Sequence, residues 1–220
     1  MTLRSSSLRR QPSQSRAEAT LKAIRQACLQ ILDQEGPKRL TTNRIAEVAG
    51  VSIGSLYQYY ADKHAIAADI CNELLMGEIG EVKRLDQQTL SMVQGSLENT
   101  IAFFVREYIA RHQRLYRKLK GFYLEMHWHY NFEDYVLRKY PRKLRTVDWL
   151  PSAMEQHRGS VGVSDPRLAA TMVVNTLEGT LHATLDHNPE LIFQPEFERE
   201  MVALLLSYLK FSHCATASEQ

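Results

Sequence analysis

The sequence of 220 residues predicts an all-α protein, in which an N-terminal domain of three helices precedes a larger helical domain. Two observations predict this class. Apolar residues recur three or four positions apart through most of the chain, the spacing that lines one face of a helix. No segment of useful length alternates apolar and polar residues as a half-buried strand does. Helix start and stop signals are densest between residues 40 and 63.

The first helix is predicted from residue 17 to a stop signal at Gly36 and Pro37. Its inward face carries apolar residues at helical spacing, namely Leu21, Ile24, Cys28, Ile31 and Leu32. Residues 1–16 are rich in serine and glutamine, contain four arginines and lack acidic residues. This composition predicts a disordered basic arm before the first helix.

Two short helices joined by a glycine turn are predicted next. Ile45, Ala46 and Val48 form an apolar strip on the first of them. Gly50 follows at the position where a left-handed backbone ends a helix, a conformation that glycine adopts without steric cost. The pattern therefore predicts a sharp turn after residue 49.

The second short helix begins after Ser52, whose hydroxyl can accept a free backbone N–H as an N-cap. Leu56 and Tyr60 are four residues apart and direct one face inward. The opposite face has no acidic residue and carries Ile53, Gly54, Ser55, Tyr57 and Gln58. Two helices with this turn form a helix-turn-helix, which places its second helix in the DNA major groove.

This segment resembles the DNA-binding domain of the TetR family of bacterial transcriptional regulators. The residues that carry the resemblance are Thr41-Thr42, Ile45-Ala46, Ala49-Gly50-Val51-Ser52, Gly54-Ser55-Leu56-Tyr57, Tyr59-Tyr60 and Lys63. The similarity covers residues 17–77, and the rest of the chain matches in length and helical character. It implies a sequence-specific repressor that leaves a palindromic operator in double-stranded DNA when a small molecule binds.

The resemblance also implies a set of DNA contacts at the matching positions of this chain. Phosphate contacts are expected from Thr42, Arg44, Tyr59 and Lys63. Base contacts are expected from Gly54, Ser55, Tyr57 and Gln58. Ser52 is expected to contact DNA through its hydroxyl or to cap the helix. The Tyr57 ring can contact a thymine methyl group, and the Gln58 amide suits adenine.

Two residues depart from the family's pattern. Ile53 replaces the polar or basic residue that is common at its position, which affects specificity at one base. Tyr60 stands where phenylalanine is usual, and its hydroxyl is expected to reach a phosphate, which adds it to the DNA contacts.

Charge is distributed unevenly along the chain, although the formal net charge is only +2. Residues 1–64 contain ten Lys and Arg against five Asp and Glu, whereas residues 65–220 contain seventeen against twenty. The positive end is therefore the end expected to meet phosphates. The basic arm 1–16 can follow the DNA backbone or remain a solvated terminus.

A competing motif lies in the same stretch. Residues 50–54 fit the G-x-S-x-G nucleophile elbow of serine hydrolases, which needs a strand before the serine and a helix after it. The residues before Gly50 have helical periodicity instead, so Ser52 is interpreted as a helix cap and no enzymatic activity is predicted. A serine hydrolase remains the alternative, and loss of a hydrolase activity in Ser52→Ala with DNA binding left intact would support it.

Composition predicts a cytoplasmic protein without cofactor or metal. No apolar run approaches the ~20 residues of a membrane span, and the N-terminus has no apolar signal region. Cys28, Cys71 and Cys214 are odd in number and scattered, so they fit neither a disulfide framework nor a zinc site.

Residues 78–212 are predicted to form the helical ligand-binding and dimerisation domain, followed by a flexible tail at 213–220. Helices are expected from Asp62, from near Ser96 to Leu119, and over shorter segments bounded by Pro141 and Pro151. Residues 159–164 are predicted to form a loop.

Two well-marked helices close the chain. Asp165 as N-cap and Pro166 start the first, and the second starts near Pro195. The second is apolar over more than one face, which predicts a partner surface. The resemblance implies a homodimer built from these two helices, with an interface at Leu177, Leu181, Leu185, Met201, Leu204, Leu205 and Tyr208.

Aromatic residues cluster between positions 103 and 149, which hold twelve of the nineteen. This composition suits a pocket for an apolar or aromatic effector, and it equally suits a plain helical core. The candidate lining residues are Phe104, Tyr108, Tyr123, Met126, Trp128 and His182. A pocket-free core would favour the alternative of a DNA-binding regulator controlled by a protein partner.

Overall fold

The computed structural model describes residues 15–76, 95–127, 130 and 146–211. Within these ranges the regular structure is helical and contains no strand, which confirms the predicted all-α class. The basic arm lies outside the described residues except for Ser15 and Arg16, with which the first helix begins. The tail at 213–220 also lies outside them.

The N-terminal part contains four helices and one short 3-10 helix among the described residues. In chain order they are α1 (Ser15–Gln34), the 3-10 helix Pro37–Arg39, α2 (Thr42–Val48), α3 (Ile53–Tyr59) and α4 (63–76).

The described helices of the later part follow in order. They are α5 (Leu97–Leu119), α6 (Gly121–Met126), α7 (Thr146–Gln156), the 3-10 helix Arg158–Ser160, α8 (Pro166–His187), the 3-10 helix Pro189–Phe193 and α9 (Pro195–Lys210). Pro151 lies inside α7 rather than at its boundary, because the burial of Leu150, Ala153 and Met154 offsets the loss of one helical hydrogen bond.

The chain groups into two compact units. The N-terminal unit comprises residues 1–80 and 112–141, and the C-terminal unit comprises residues 81–111 and 142–220. Helix α5 therefore contributes to both. The predicted domain boundary at residue 77 remains a prediction. The N-terminal unit also includes a second segment, residues 112–141, from later in the chain.

The core of the N-terminal unit is built on the predicted apolar face of α1. Its five inward residues are all buried, as are Ile66 and Ile70 on α4 and Phe122 on α6. Gly36 ends α1 with a φ of 82°, and its N–H donates to the Ile31 carbonyl at 3.0 Å. A left-handed residue at this point favours glycine.

Helix α8 forms the centre of the C-terminal unit and starts as predicted. The Asp165 side chain accepts hydrogen bonds from the backbone N–H groups of Arg167 and Leu168, and Pro166 occupies the first turn. Its buried residues are Ala169, Ala170, Val173, Leu177, Leu181, His182 and Leu185. They pack in a core with Met201, Leu205 and Leu209 of α9.

The prediction of the dimer interface is wrong for five of its seven residues. Leu177, Leu181, Leu185, Met201 and Leu205 are buried inside the C-terminal unit of a single chain. These five side chains pack inside the monomer, so they are not available to a second copy. Of the remaining two, Leu204 is 52% exposed and Tyr208 is partly exposed.

No described helix combines the length and apolar character that crossing a bilayer requires. In the same ranges, no three His, Cys, Asp or Glu side chains gather in a way that could hold a metal ion. Cys28 and Cys71 are free and buried, and burial raises the pKa of the Cys28 thiol to about 12.

Candidate nucleic-acid interface

Helices α2 and α3 are joined by the predicted glycine turn. The Thr41 side chain caps α2 by accepting the Arg44 N–H at 3.2 Å. Gly50 has a φ of 66°, and the next N–H, that of Val51, donates to the Ala46 carbonyl at 3.0 Å. A Cβ added at Gly50 would meet no atom within 4 Å, so the backbone conformation and not crowding favours glycine here.

Ser52 is the N-cap of α3. Its hydroxyl oxygen accepts the Ser55 N–H at 3.0 Å and lies 2.8 Å from the Ser55 hydroxyl. The residues before the turn form helix α2, whereas a nucleophile elbow requires a strand there. The cap is therefore the role that the local geometry supports.

The inner face of α3 anchors the helix in the core of the N-terminal unit. Leu56 and Tyr60 are both fully buried. The Tyr60 hydroxyl donates a hydrogen bond of 2.6 Å to the Asp69 carboxylate, which also pairs with the Arg25 guanidinium at 2.9 Å. Burial raises the pKa of the Tyr60 phenol above its ordinary value, so the phenol remains a donor.

The prediction that Tyr60 reaches a phosphate is therefore wrong. A side chain with no exposed surface and a hydroxyl committed to a buried carboxylate cannot contact DNA while α3 keeps its place. The hydroxyl that distinguishes tyrosine from phenylalanine instead donates a hydrogen bond to Asp69. Asp69 was missed in the sequence, although its position between the inward residues Ile66 and Ile70 placed a carboxylate near the core.

The outer face of α3 brings the predicted base-contacting residues together. Tyr57 is 42% exposed and Ile53 is 38% exposed, and Gly54 and Gln58 are exposed beside them. The Tyr57 hydroxyl lies 3.0 Å from the hydroxyl of Thr42, which ties the outer face of α3 to the start of α2. Ser55 and Tyr59 are partly exposed at its edges.

Two of the predicted phosphate contacts have carboxylate partners in this structure. Arg44 pairs with Glu35 at 2.7 Å and with Glu47 at 2.9 Å, and its hydrogen bond lowers the pKa of Glu35. The Lys63 ammonium lies 3.3 Å from a Glu125 oxygen and 4.7 Å from the centre of the Phe122 ring, both on α6. Sequence reasoning missed these α6 partners, because they lie sixty residues along the chain.

This arrangement suits the edges of base pairs. The outer face of α3 offers an amide, hydroxyl groups and two apolar side chains, and it carries no carboxylate that would repel phosphates. The N-terminal residues of a second helix in this motif are the ones that meet base edges in the major groove.

The candidate ligand-binding residues divide between the two units. Tyr123 and Met126 are buried in the N-terminal unit, where the Tyr123 hydroxyl lies 2.7 Å from Nδ1 of His112. Phe104 and His182 are buried in the C-terminal unit, where the ring centroids of Phe104 and Tyr108 are 6.1 Å apart. Trp128 lies outside the described residues. A cavity shared by all six stays a prediction.

Two family models match the chain. The model described as bacterial regulatory proteins, tetR family, matches residues 24–70, and the model described as tetracyclin repressor-like, C-terminal domain, matches residues 145–209. Together these segments make up about half of the chain.

The chain is also similar to individual proteins. It is 31% identical over 101 residues to the nucleoid occlusion factor SlmA of Actinobacillus pleuropneumoniae, an alignment that covers 42% of this chain and 50% of that protein. The chain thus spans about half the length of the curated relatives it matches.

A solved structure shares the fold. SmeT, the repressor of the Stenotrophomonas maltophilia multidrug efflux pump SmeDEF, is 22% identical with a TM-score of 0.53, over 87% of this chain and 90% of that one. A TetR-family regulator from Mesorhizobium loti is 18% identical with a TM-score of 0.48, over 89% and 98% of the two chains.

Proposed function

The chain belongs to the TetR family of bacterial regulatory proteins, and we propose that it is a cytoplasmic, dimeric repressor that binds a palindromic operator. The observation that carries this proposal is the outer face of α3, which is exposed, free of carboxylates and held in place by the Ser52 cap and the buried Tyr60. A surface of this kind presents amide, hydroxyl and apolar groups to base edges.

The charge distribution supports the same site. The first 64 residues carry the excess of Lys and Arg, and a positive potential there attracts the DNA backbone. Arg44 and Lys63 are held beside α3 by carboxylates, and in the proposed complex a phosphate oxygen replaces Glu125 as the partner of Lys63. Loss of that phosphate contact in Lys63→Gln is expected to weaken all sequences alike and to lower the salt dependence of binding.

Selection of fragmented genomic DNA by the purified protein at one fixed salt concentration tests the proposal. The wild type is expected to enrich one palindromic site, and Tyr57→Ala is expected to lose that enrichment. Gln26→Ala changes an exposed residue of α1 and serves as the matched control. Absence of any enriched site, or equal enrichment by Tyr57→Ala, would contradict the proposal.

We propose a revised dimer interface on the outer faces of α8 and α9. Leu168 and Met172 of α8 and Leu204 of α9 are large apolar residues that remain exposed in the single chain. Gly179 and Ala183 continue the α8 stripe with small side chains, and an open groove runs past them to His187 and Leu191. A Cβ at Gly179 would meet nothing within 4 Å, so the space beside it can receive a partner helix.

Sedimentation velocity measures this interface directly. Leu204→Asp is expected to sediment as a monomer at a concentration where the wild type is a dimer, because the new carboxylate would be buried without a partner. Gln156→Asp adds the same charge at an exposed position of α7 and should leave the dimer intact. Equal dimerisation by Leu204→Asp would place the interface elsewhere.

We propose that a small apolar or aromatic effector releases the protein from DNA. Support comes from the buried aromatic residues of 103–126, together with the polar pair formed by His112 and Tyr123. Thermal shift against a panel of aromatic and acyl compounds, followed by loss of operator binding, tests this step. If no compound raises the melting temperature or releases DNA, control by a protein partner becomes the better explanation.

A further inference from the structure

Ile53 has an unexpected combination of size and exposure. It is the first residue of α3, immediately after the Ser52 cap, and 38% of its surface is accessible. Among the described residues of the N-terminal unit, the exposed large apolar side chains are Ile53 and Tyr57. They are four residues apart and therefore share one face of the helix.

This pair forms a preorganised apolar surface. The Tyr57 ring is held at its hydroxyl by the bond to Thr42, and a β-branched side chain such as Ile53 has few rotamers available. Gly54 has no side chain to stand between Ile53 and an approaching surface. The hydroxyls of Ser52 and Ser55 are bonded to each other, and that of Ser52 also accepts the Ser55 N–H, so the unbonded groups on this face are mainly apolar.

An isoleucine gains nothing from a phosphate, since its side chain can neither donate a hydrogen bond nor neutralise charge. Its binding energy comes from apolar area removed from water. In the major groove the apolar group that a base presents is the C5-methyl of thymine. A residue at the start of the second helix of this motif is in position to meet base edges.

We propose that Ile53, together with the ring of Tyr57, recognises the C5-methyl group of thymine and is a specificity-determining residue. Each operator half-site then carries a thymine where α3 begins to enter the groove. The inference rests on the proposed DNA-binding function and adds the chemistry that one base must offer. It also assigns a role to Ile53, the apolar residue that departs from the family's pattern at its position.

The test uses the enriched genomic site as a synthetic duplex, in which each thymine in turn is replaced by deoxyuridine. This change removes only the methyl group and keeps the base pairing. For the wild type, removal of the critical methyl is expected to weaken binding about fourfold per half-site, measured by fluorescence anisotropy at fixed salt. Ile53→Ala is expected to lose most of the difference between the two duplexes, while Ile53→Val retains most of it.

Several outcomes would overturn the inference. Equal binding by the wild type to every deoxyuridine duplex would do so, as would an unchanged thymine preference in Ile53→Ala, whose folding circular dichroism verifies. An enriched site that depends on Tyr57 but contains no thymine preference would overturn this inference alone. Failure to enrich any site would overturn the proposed function and this inference with it.

Discussion

For both α3 and α9, the sequence analysis assigned individual residues to an inward or an outward face. The observed exposure of the side chains agrees with those assignments on α3 and disagrees with some of them on α9. In α3 the predicted inward residue Leu56 is buried, and the predicted outer face, with Tyr57 and Gln58, is exposed. In α9 two adjacent leucines received the same prediction, although Leu205 is 1% exposed and Leu204 is 52% exposed. The difference shows what kind of sequence signal fixes a helix face.

The rotation of α3 is set by local chemistry. The Ser52 cap and the left-handed Gly50 determine where the helix begins, and its seven residues leave little freedom about which side is apolar. Helix α9 begins at Pro195 without a side-chain cap and contains three consecutive leucines at 204–206. An apolar arc that wide does not indicate which side meets the core.

The largest expected contrast is between the two adjacent leucines of α9. Leu205→Ala should lower the free energy of unfolding by about 2–5 kcal/mol, because it opens a cavity in the core of the C-terminal unit. Leu204→Ala should change the stability of the monomer by less than about 0.5 kcal/mol. Urea unfolding at several protein concentrations separates this effect from dimerisation, and equal losses in the two variants would contradict the assigned faces.

The second contrast concerns the adjacent tyrosines at the end of α3. Tyr60→Phe leaves the buried Asp69 carboxylate without one of its donors, at a cost of about 1–3 kcal/mol. Tyr59→Phe, at a partly exposed position, should leave the stability nearly unchanged. Thermal unfolding of both variants provides the measurement. A stable Tyr60→Phe variant with weakened operator binding would restore the phosphate role that the structure removes.

The cap of α3 should contribute less. Ser52→Ala removes the acceptor of the Ser55 N–H and is expected to cost about 1 kcal/mol, whereas Ser52→Asp keeps an acceptor at that position. Denaturant unfolding compares the two. Equal destabilisation by both substitutions would show that the cap does not fix the start of α3.

The smallest expected effect concerns an ion pair within the C-terminal unit. Its two residues are far apart in the sequence, so sequence patterns do not indicate the pair. The Glu98 carboxylate at the start of α5 lies 2.5 Å from the Lys210 ammonium at the end of α9. The pKa of Glu98 is lowered from 4.5 to about 2, first by the hydrogen bond from Lys210 and then by those from its own backbone and from Ser96. Because the folded state favours the charged form, this contribution is complete above pH 4.5 and is lost as the pH falls towards 2.

Titration of Glu98 by carbon-detected NMR checks this prediction. The pKa should return towards 4.5 in Lys210→Met, and added salt should diminish the shift in the wild type, since the pair is exposed. An unshifted pKa in the wild type would mean that the two charges do not pair in solution.

The sequence by itself determined the helical class, the caps Ser52 and Asp165, the glycine turn at residue 50 and the inward face of α1. These features depend on residues within a few positions of each other. Local hydrogen bonding and backbone sterics therefore encode them directly. The choice of residues on the outer face of α3 follows from the same local signals.

Only the tertiary structure decided which side chains find distant partners. It moved Tyr60 from the DNA surface to Asp69, paired Lys63 with Glu125, and placed five predicted interface residues inside the monomer. Each of these results depends on contacts between segments far apart in the chain. Helical periodicity indicates that a face is apolar, but only the packing of several helices decides whether it meets its own core or remains available to a partner.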